Sequence, residues 1–134
     1  MIVADSTLLL HLALQASDPG DSRAARAAYD RGSEWTVPPL WASEVRHVVL
    51  KYVRGGQISF DDARATVHRL SLLVSVSPVD HDEVLRAAHA LGLSGYDAEY
   101  AALADRLGVP LVTSDRHLLQ SVPRAVAADV FAQG

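Results

Sequence analysis

Short apolar runs alternate along this chain with longer segments whose apolar positions recur at helical spacing. It opens on IVAD, where Ile2–Ala4 forms an unbroken apolar run of the kind expected of a strand buried on both faces, and Asp5 ends it at once. TLLLHLALQA, residues 7–16, then predicts a helix, stopped by the turn signal SDPG at residues 17–20. DSRAARAAYDRG, residues 21–32, starts on a capping aspartate, is rich in alanine and ends on glycine, so a second helix is expected there. EWTVPPLW places a strand at Trp35–Val37, then prolines suited to a first helical turn. The helix they open runs to Arg54 and stops at Gly55 and Gly56.

The second half continues the alternation. Ser59 caps a helix in which Ala63, Val67 and Leu70 share a face. A strand is expected over residues 72–76, a helix over 80–91, and another over 94–108. In the last of these Tyr96, Tyr100, Leu103, Ala104 and Leu107 form one stripe, and Gly108 is the stop. VPLVTSD reads as a strand ending at Asp115, a short helix follows near Leu118, and a final strand falls at residues 125–128. Strands alternating with helices imply right-handed crossovers and an α/β unit with a mainly parallel sheet covered on both faces.

Composition narrows the picture without redirecting it. With 134 residues, no repeat and no linker, the expectation is one domain over residues 1–134. A hydrophobic share of 49% and a charged share of 21% place the chain among ordinary globular proteins. There is no cysteine, which removes disulfides and thiolate metal sites and suits a reducing cytoplasm. The apolar N-terminus lacks a basic leader and carries Asp5 and His11, and uncharged stretches fall short of the ~20 residues that span a bilayer, so no membrane role is expected. Twelve Lys plus Arg against 16 Asp plus Glu give a net charge of −4, which argues against a broad phosphate-binding surface. Lys51 is the one lysine, so phosphate recognition would fall to arginine.

The chemistry lies in the acids. In a parallel sheet ligands bind beyond the carboxyl ends of the strands, where the following helices start. Asp5 and Asp115 each end a strand, while Glu44 and Asp97 stand in the first turns of helices. Four carboxylates on one edge repel, each pair at a cost on the order of a kcal/mol or more at ~5 Å and an effective dielectric of about 20. A hard divalent cation, Mg²⁺ or Mn²⁺, compensates naturally and commonly bridges carboxylates to phosphate. The reaction that follows is metal-assisted phosphodiester hydrolysis by a metal-activated water. Each acid also has a plainer role: Asp5 and Asp115 as helix caps, Asp97 in a capping box with Ser94, and Glu44 as a solvated residue bordering the stripe of Trp41, Val45, Val48 and Tyr52. Convergence on one edge is what no capping role requires.

Thr113 points to the same side of its strand as Asp115 and offers a hydroxyl, although a β-branched residue also suits strand packing. Arg46, Arg54 and Arg116 lie near the acids in sequence as candidate phosphate contacts or as ordinary surface arginines. The six histidines show no zinc-ligand spacing and read as surface or satisfied groups.

MIVADSTLLL, WASEV and above all LSGYDAEYAALADRLGVPLVTSDRHLL resemble the PIN domain family, in particular its small VapC-like toxins of type II toxin–antitoxin pairs. The resemblance covers essentially the whole chain. It implies a three-layer α/β/α sandwich in which Asp5, Glu44, Asp97 and Asp115 bind Mg²⁺ or Mn²⁺ and Thr113 supports them. It further implies endoribonuclease activity on RNA, homodimers, and inhibition by a cognate antitoxin whose C-terminal segment covers the acidic pocket. Many members carry asparagine two positions after the first aspartate, where this chain has Thr7. Two other readings remain: a PIN-fold binding module without turnover, and a phosphotransfer protein with acids at strand ends. The latter is disfavoured because the single lysine, Lys51, sits mid-helix and position 7 is threonine rather than a second aspartate.

Overall fold

Five three-residue strands carry the fold in the computed structural model, which describes residues 1–14 and 17–134. They are β1 (Ile2–Ala4), β2 (Trp35–Val37), β3 (Val74–Val76), β4 (Leu111–Thr113) and β5 (Ala125–Ala127). All pair in parallel, in the order β3-β2-β1-β4-β5. Alternation along the strands divides the interior in two: Ile2, Ala4, Trp35, Val37 and Val112 face one core, Val3 and Leu111 the other.

The helices α1 (Ser6–Ala13), α2 (Pro19–Tyr29), α3 (Leu40–Arg54), α4 (Phe60–Leu73) and α8 (Ala128–Gln133) supply the first core, through residues such as Leu8, Leu9, Ala25, Val45, Leu70 and Ala128. The second is supplied by α5 (His81–Leu91), α6 (Gly95–Leu107) and α7 (Arg116–Ser121), with Tyr100, Leu103 and Leu118. The result is the expected three-layer α/β/α sandwich. The chain builds outward from β1 to β2 and β3, then crosses back to β4 on the other side of β1. The strand order therefore reverses between β1 and β4, and it is beyond the carboxyl ends of strands at such a reversal that open α/β sheets bind ligands.

The structure departs from the sequence pattern at several boundaries. SDPG does not stop a helix but starts one: Asp18, not Asp21, is the cap, accepting from the backbone N–H groups of Gly20 at 2.9 Å and Asp21 at 3.1 Å. Pro19 then takes the first helical position, where a missing N–H costs nothing. The first helix, expected over 7–16, spans Ser6–Ala13 and is over by Leu14, which is already extended, while residues 15 and 16 lie outside the described residues. The strand expected from 72 begins only at Val74, because α4 runs on to Leu73 with no residue to break it. Tyr96 is not on the buried stripe of α6; it is 67% exposed, while Ala98, Ala101 and Ala102 are buried, so this helix is enclosed nearly all round. Finally, β5 ends one residue early and leads into α8, which the sequence pattern did not suggest. Arg31 on the loop after α2 fastens it, its guanidinium 4.5 Å from the Phe131 ring centroid and donating to the Phe131 carbonyl at 2.7 Å.

Candidate active site

The register of β1 on β4 pairs Val3 with Leu111 and Ala4 with Val112, which brings Asp5 beside Thr113 at the strand-order reversal. Asp5 is 3% exposed and accepts three hydrogen bonds. At Oδ1 it receives the Thr7 hydroxyl at 2.8 Å and the Leu8 N–H at 3.1 Å, and at Oδ2 the Thr113 hydroxyl at 2.6 Å. Thr113 Oγ1 in turn accepts the Asp115 N–H at 2.9 Å, and Thr7 Oγ1 accepts the Ser114 N–H at 3.3 Å. Two threonines thus stitch the end of β1 to the end of β4. Thr7 supplies a hydroxyl donor to Asp5 and an acceptor for the opposite loop.

Glu44 comes from the opposite helical layer. It stands in the second turn of α3 beside the buried Trp41 and Val45 and is itself half-buried, so the border position read from the helical wheel holds. Its Oε1 accepts the phenol of Tyr100 at 2.5 Å. The Ser6 side chain lies close enough to both groups to favour their charged forms.

Asp97 and Asp115 complete the group. Ser94 caps α6 by accepting the Asp97 N–H at 3.0 Å, and the Asp97 carboxylate falls within electrostatic range of Asp115 and of His117. The strand expected to end at Asp115 stops at Thr113 instead, because Asp115 is drawn into capping α7, its Oδ1 accepting the Leu118 N–H at 3.0 Å. The plainer capping roles of Asp5, Asp115 and Ser94 are therefore all real. They do not compete with a site, because a cap at the carboxyl edge of a parallel sheet is already at the edge where ligands bind.

Electrostatics tie the four acids together. Burial pushes Asp5 up to about 6; its three donors pull the other way and the Asp115 charge adds to the rise. Glu44 is raised chiefly by burial, against the Tyr100 hydrogen bond, with the Asp97 charge adding to the effect. Asp97 is likewise raised by burial and then by Asp115, while His117 lowers it. The mutual influence runs Asp5 to Asp115, Asp115 to Asp97, and Asp97 to Glu44. Burial pushes the Tyr100 phenol well above its ordinary range, with the Glu44 bond and charge acting the same way, so it remains a donor.

This donor set is all oxygen, anionic and self-repelling, which fits a hard divalent cation. Among the described residues no three acidic or histidine side chains close into a ready-made metal-ligand cluster. Asp5, Glu44, Asp97 and Asp115 are the residues that would hold such a cation.

Not every residue singled out in the sequence arrives at this edge. Arg116 is exposed directly after Asp115, but Arg46, two residues beyond Glu44, points to another face of α3, where it donates to the Ser43 hydroxyl at 3.3 Å, and Arg54 ends α3 ten residues beyond Glu44 and about 15 Å farther along the axis. Lys51 is exposed in the last turn of the same helix. Conversely, the sequence reading left His117 among surface histidines and Tyr100 in an apolar stripe. Both carried a signal: His117 follows Asp115 by two residues in the helix that Asp115 caps, and Tyr100 lies one helical turn after Asp97.

Comparison with known proteins agrees with the geometry. Ribonuclease VapC3 of Pyrobaculum aerophilum is 33% identical over 110 residues, covering 78% of this chain and 84% of that protein. Exonuclease VapC9 of the same organism is 38% identical over 91 residues, covering 66% of this chain and 67% of that protein. The crystal structure of PAE2754 from Pyrobaculum aerophilum superposes with a TM-score of 0.79 at 26% identity, over 98% of this chain and 86% of its own. With the sequence profile described as PIN domain matching residues 2–124, and the acids assembled where a strand order reverses, the chain belongs to the PIN domain family.

Proposed function

We propose that this protein is a divalent-metal-dependent endoribonuclease and the toxin of a type II toxin–antitoxin pair. The observation that carries the reading is the line of four electrostatically linked carboxylates, Asp5, Asp115, Asp97 and Glu44, at the reversal point of the sheet. The VapC names of the relatives support a nuclease, one named a ribonuclease and one an exonuclease. When bound, Mg²⁺ or Mn²⁺ would supply the positive charge that offsets these acids and brings a phosphodiester and a water together.

The chain's own part is to hold and orient. Asp5 is locked by Thr7, Leu8 and Thr113, so it presents a fixed carboxylate at the carboxyl edge of the sheet. Asp97 and Asp115 stand at helix starts, where backbone N–H groups favour anionic oxygens, those of a phosphate included. Arg116, exposed directly after Asp115, is the cation available there to RNA phosphates, which an acidic chain needs locally. The whole of residues 1–134 acts as one PIN-like domain, as a cytoplasmic homodimer, and a cognate antitoxin silences it by covering the acids. Among the described residues no helix is long and apolar enough to cross a membrane.

The test is incubation of total RNA with the purified protein in Mn²⁺, in Mg²⁺ and in excess EDTA, with Asp97→Asn alongside. Discrete metal-dependent fragments that vanish in the variant, by roughly a hundredfold or more in rate, are expected. Progressive shortening from an end would make the enzyme an exonuclease. Metal binding without any cleavage would make it a PIN-fold binding module, and full activity in Asp97→Asn would sink the site assignment.

A further inference from the structure

We propose that Tyr100 is a positioning residue of the acidic site, its phenol fixing the Glu44 carboxylate at the carboxyl edge of the sheet and leaving the other Glu44 oxygen free to hold a divalent cation. The proposal rests on the functional reading above and adds to it a residue outside the four acids and Thr113.

The geometry is specific. Tyr100 belongs to the core built by α5, α6 and α7, whereas Glu44 belongs to α3 in the other helical layer, 56 residues away in sequence. Their hydrogen bond, at 2.5 Å, is a direct polar tie between the two layers at the site. A glutamate on a helix has three rotatable bonds and, half-buried, no single enforced rotamer. Tyr100 has two and is 2% exposed, packed in the cluster with Val3, Ala98 and Leu103, so it is the rigid member of the pair. The ring alone would satisfy that packing, and phenylalanine would fill the same space. The hydroxyl needs a different explanation, because a buried phenol must find a partner, and the partner it has is the carboxylate.

The same helix face explains how the device is built. Asp97 and Tyr100 are one turn apart on α6, so the helix that delivers one acid also delivers the phenol that holds another. Ser6, directly after Asp5, lies beside both Glu44 and Tyr100. A shift of α6 against α3 would thus move Asp97 and release Glu44 together. Partners that orient metal-holding side chains in this way typically matter by 10- to 100-fold, that is ~10–100, in metal affinity or activity.

The experiment is Tyr100→Phe, which removes one oxygen and keeps the ring. The folded variant should bind Mn²⁺ about 10- to 100-fold more weakly by calorimetry without RNA, and show a lower kcat with KM for RNA little changed. Arg31→Ala, which removes the contacts that fasten α8 to the loop after α2, should lower Tm without moving Mn²⁺ affinity, which separates positioning from lost stability. In a Glu44→Gln background Tyr100→Phe should add no further loss. If Tyr100→Phe does not fold, the wild-type Tyr100 hydroxyl proton decides by NMR: it should shift on adding Mg²⁺, and no response overturns the proposal. Wild-type protein that neither binds Mn²⁺ nor cleaves RNA fails the functional reading, and the positioning role with it. Wild-type protein that does both, while folded Tyr100→Phe matches it in Mn²⁺ affinity and kcat, overturns the positioning role alone.

Discussion

Raising the pH of the metal-free protein from about 4 to about 7 should destabilise it, and Asp5 sets the size of the effect. Burial lifts its carboxyl from 3.8 to about 6 in the folded chain despite three hydrogen-bond donors. Between these two values the folded state holds a proton that the unfolded state has released, so stability falls as pH rises through the window. Below it both states are protonated and above it both are ionised, and the loss is then complete. A shift of about two units, at about 1.4 kcal/mol each, amounts to about 3 kcal/mol. That is a large part of the ~5–15 kcal/mol that holds a domain together, and about 10 °C in Tm. Urea unfolding in EDTA across the window measures it. Asp5→Asn should reduce the slope by that amount: the amide oxygen keeps the Leu8 and Thr7 donors, and the amide nitrogen can donate to Thr113 Oγ1. A residual slope of the same sign remains from Glu44, Asp97 and Glu99, all raised first by burial. Wild-type stability that is flat or rising over the window, or an unchanged slope in Asp5→Asn, would refute the reasoning.

Other outcomes follow from the same contacts. Thr113→Val should cost about 2–4 kcal/mol in urea unfolding at neutral pH, because it strips a donor from buried Asp5 and the acceptor from the Asp115 N–H; a variant as stable as the parent would count against the stitch between β1 and β4. Thr7→Val should cost about 1–2 kcal/mol by the same measurement, since its hydroxyl is only partly buried. Mn²⁺ at about a hundred times its Kd should raise stability by ~2.7 kcal/mol, seen as a higher Tm that EDTA reverses and that Asp97→Asn diminishes.

Much of the fold was legible because its strands are short and enclosed. Ile2–Ala4 and Leu111–Thr113 are buried throughout, and continuous burial writes itself as a continuous apolar run. Helix starts marked by Ser59 and Ser94 were legible for a similar local reason, since a cap hydroxyl reaches only three residues ahead. Boundaries failed where two local rules competed. SDPG satisfies both a turn and a proline-led helix start, and the packing of α2 on α1 selects the second. The run to Leu73 carries no stop, so the pairing of Val74 with Trp35, rather than any residue type, decides where α4 gives way to β3.

The site divides along the same line. The sequence by itself determined that Asp5 and Asp115 fall where a strand gives way to a helix, and that Glu44 and Asp97 fall within the first two turns of helices, because these are properties of neighbours along the chain. Only the tertiary structure decided what each carboxylate touches. That Thr113 answers Asp5 depends on the register of two strands 108 residues apart, and that Tyr100 answers Glu44 depends on how α6 sits against α3. Such partners are separated by several helices and strands in sequence. Their pairing is set by the packing of two cores on one twisted sheet, which no local spacing encodes.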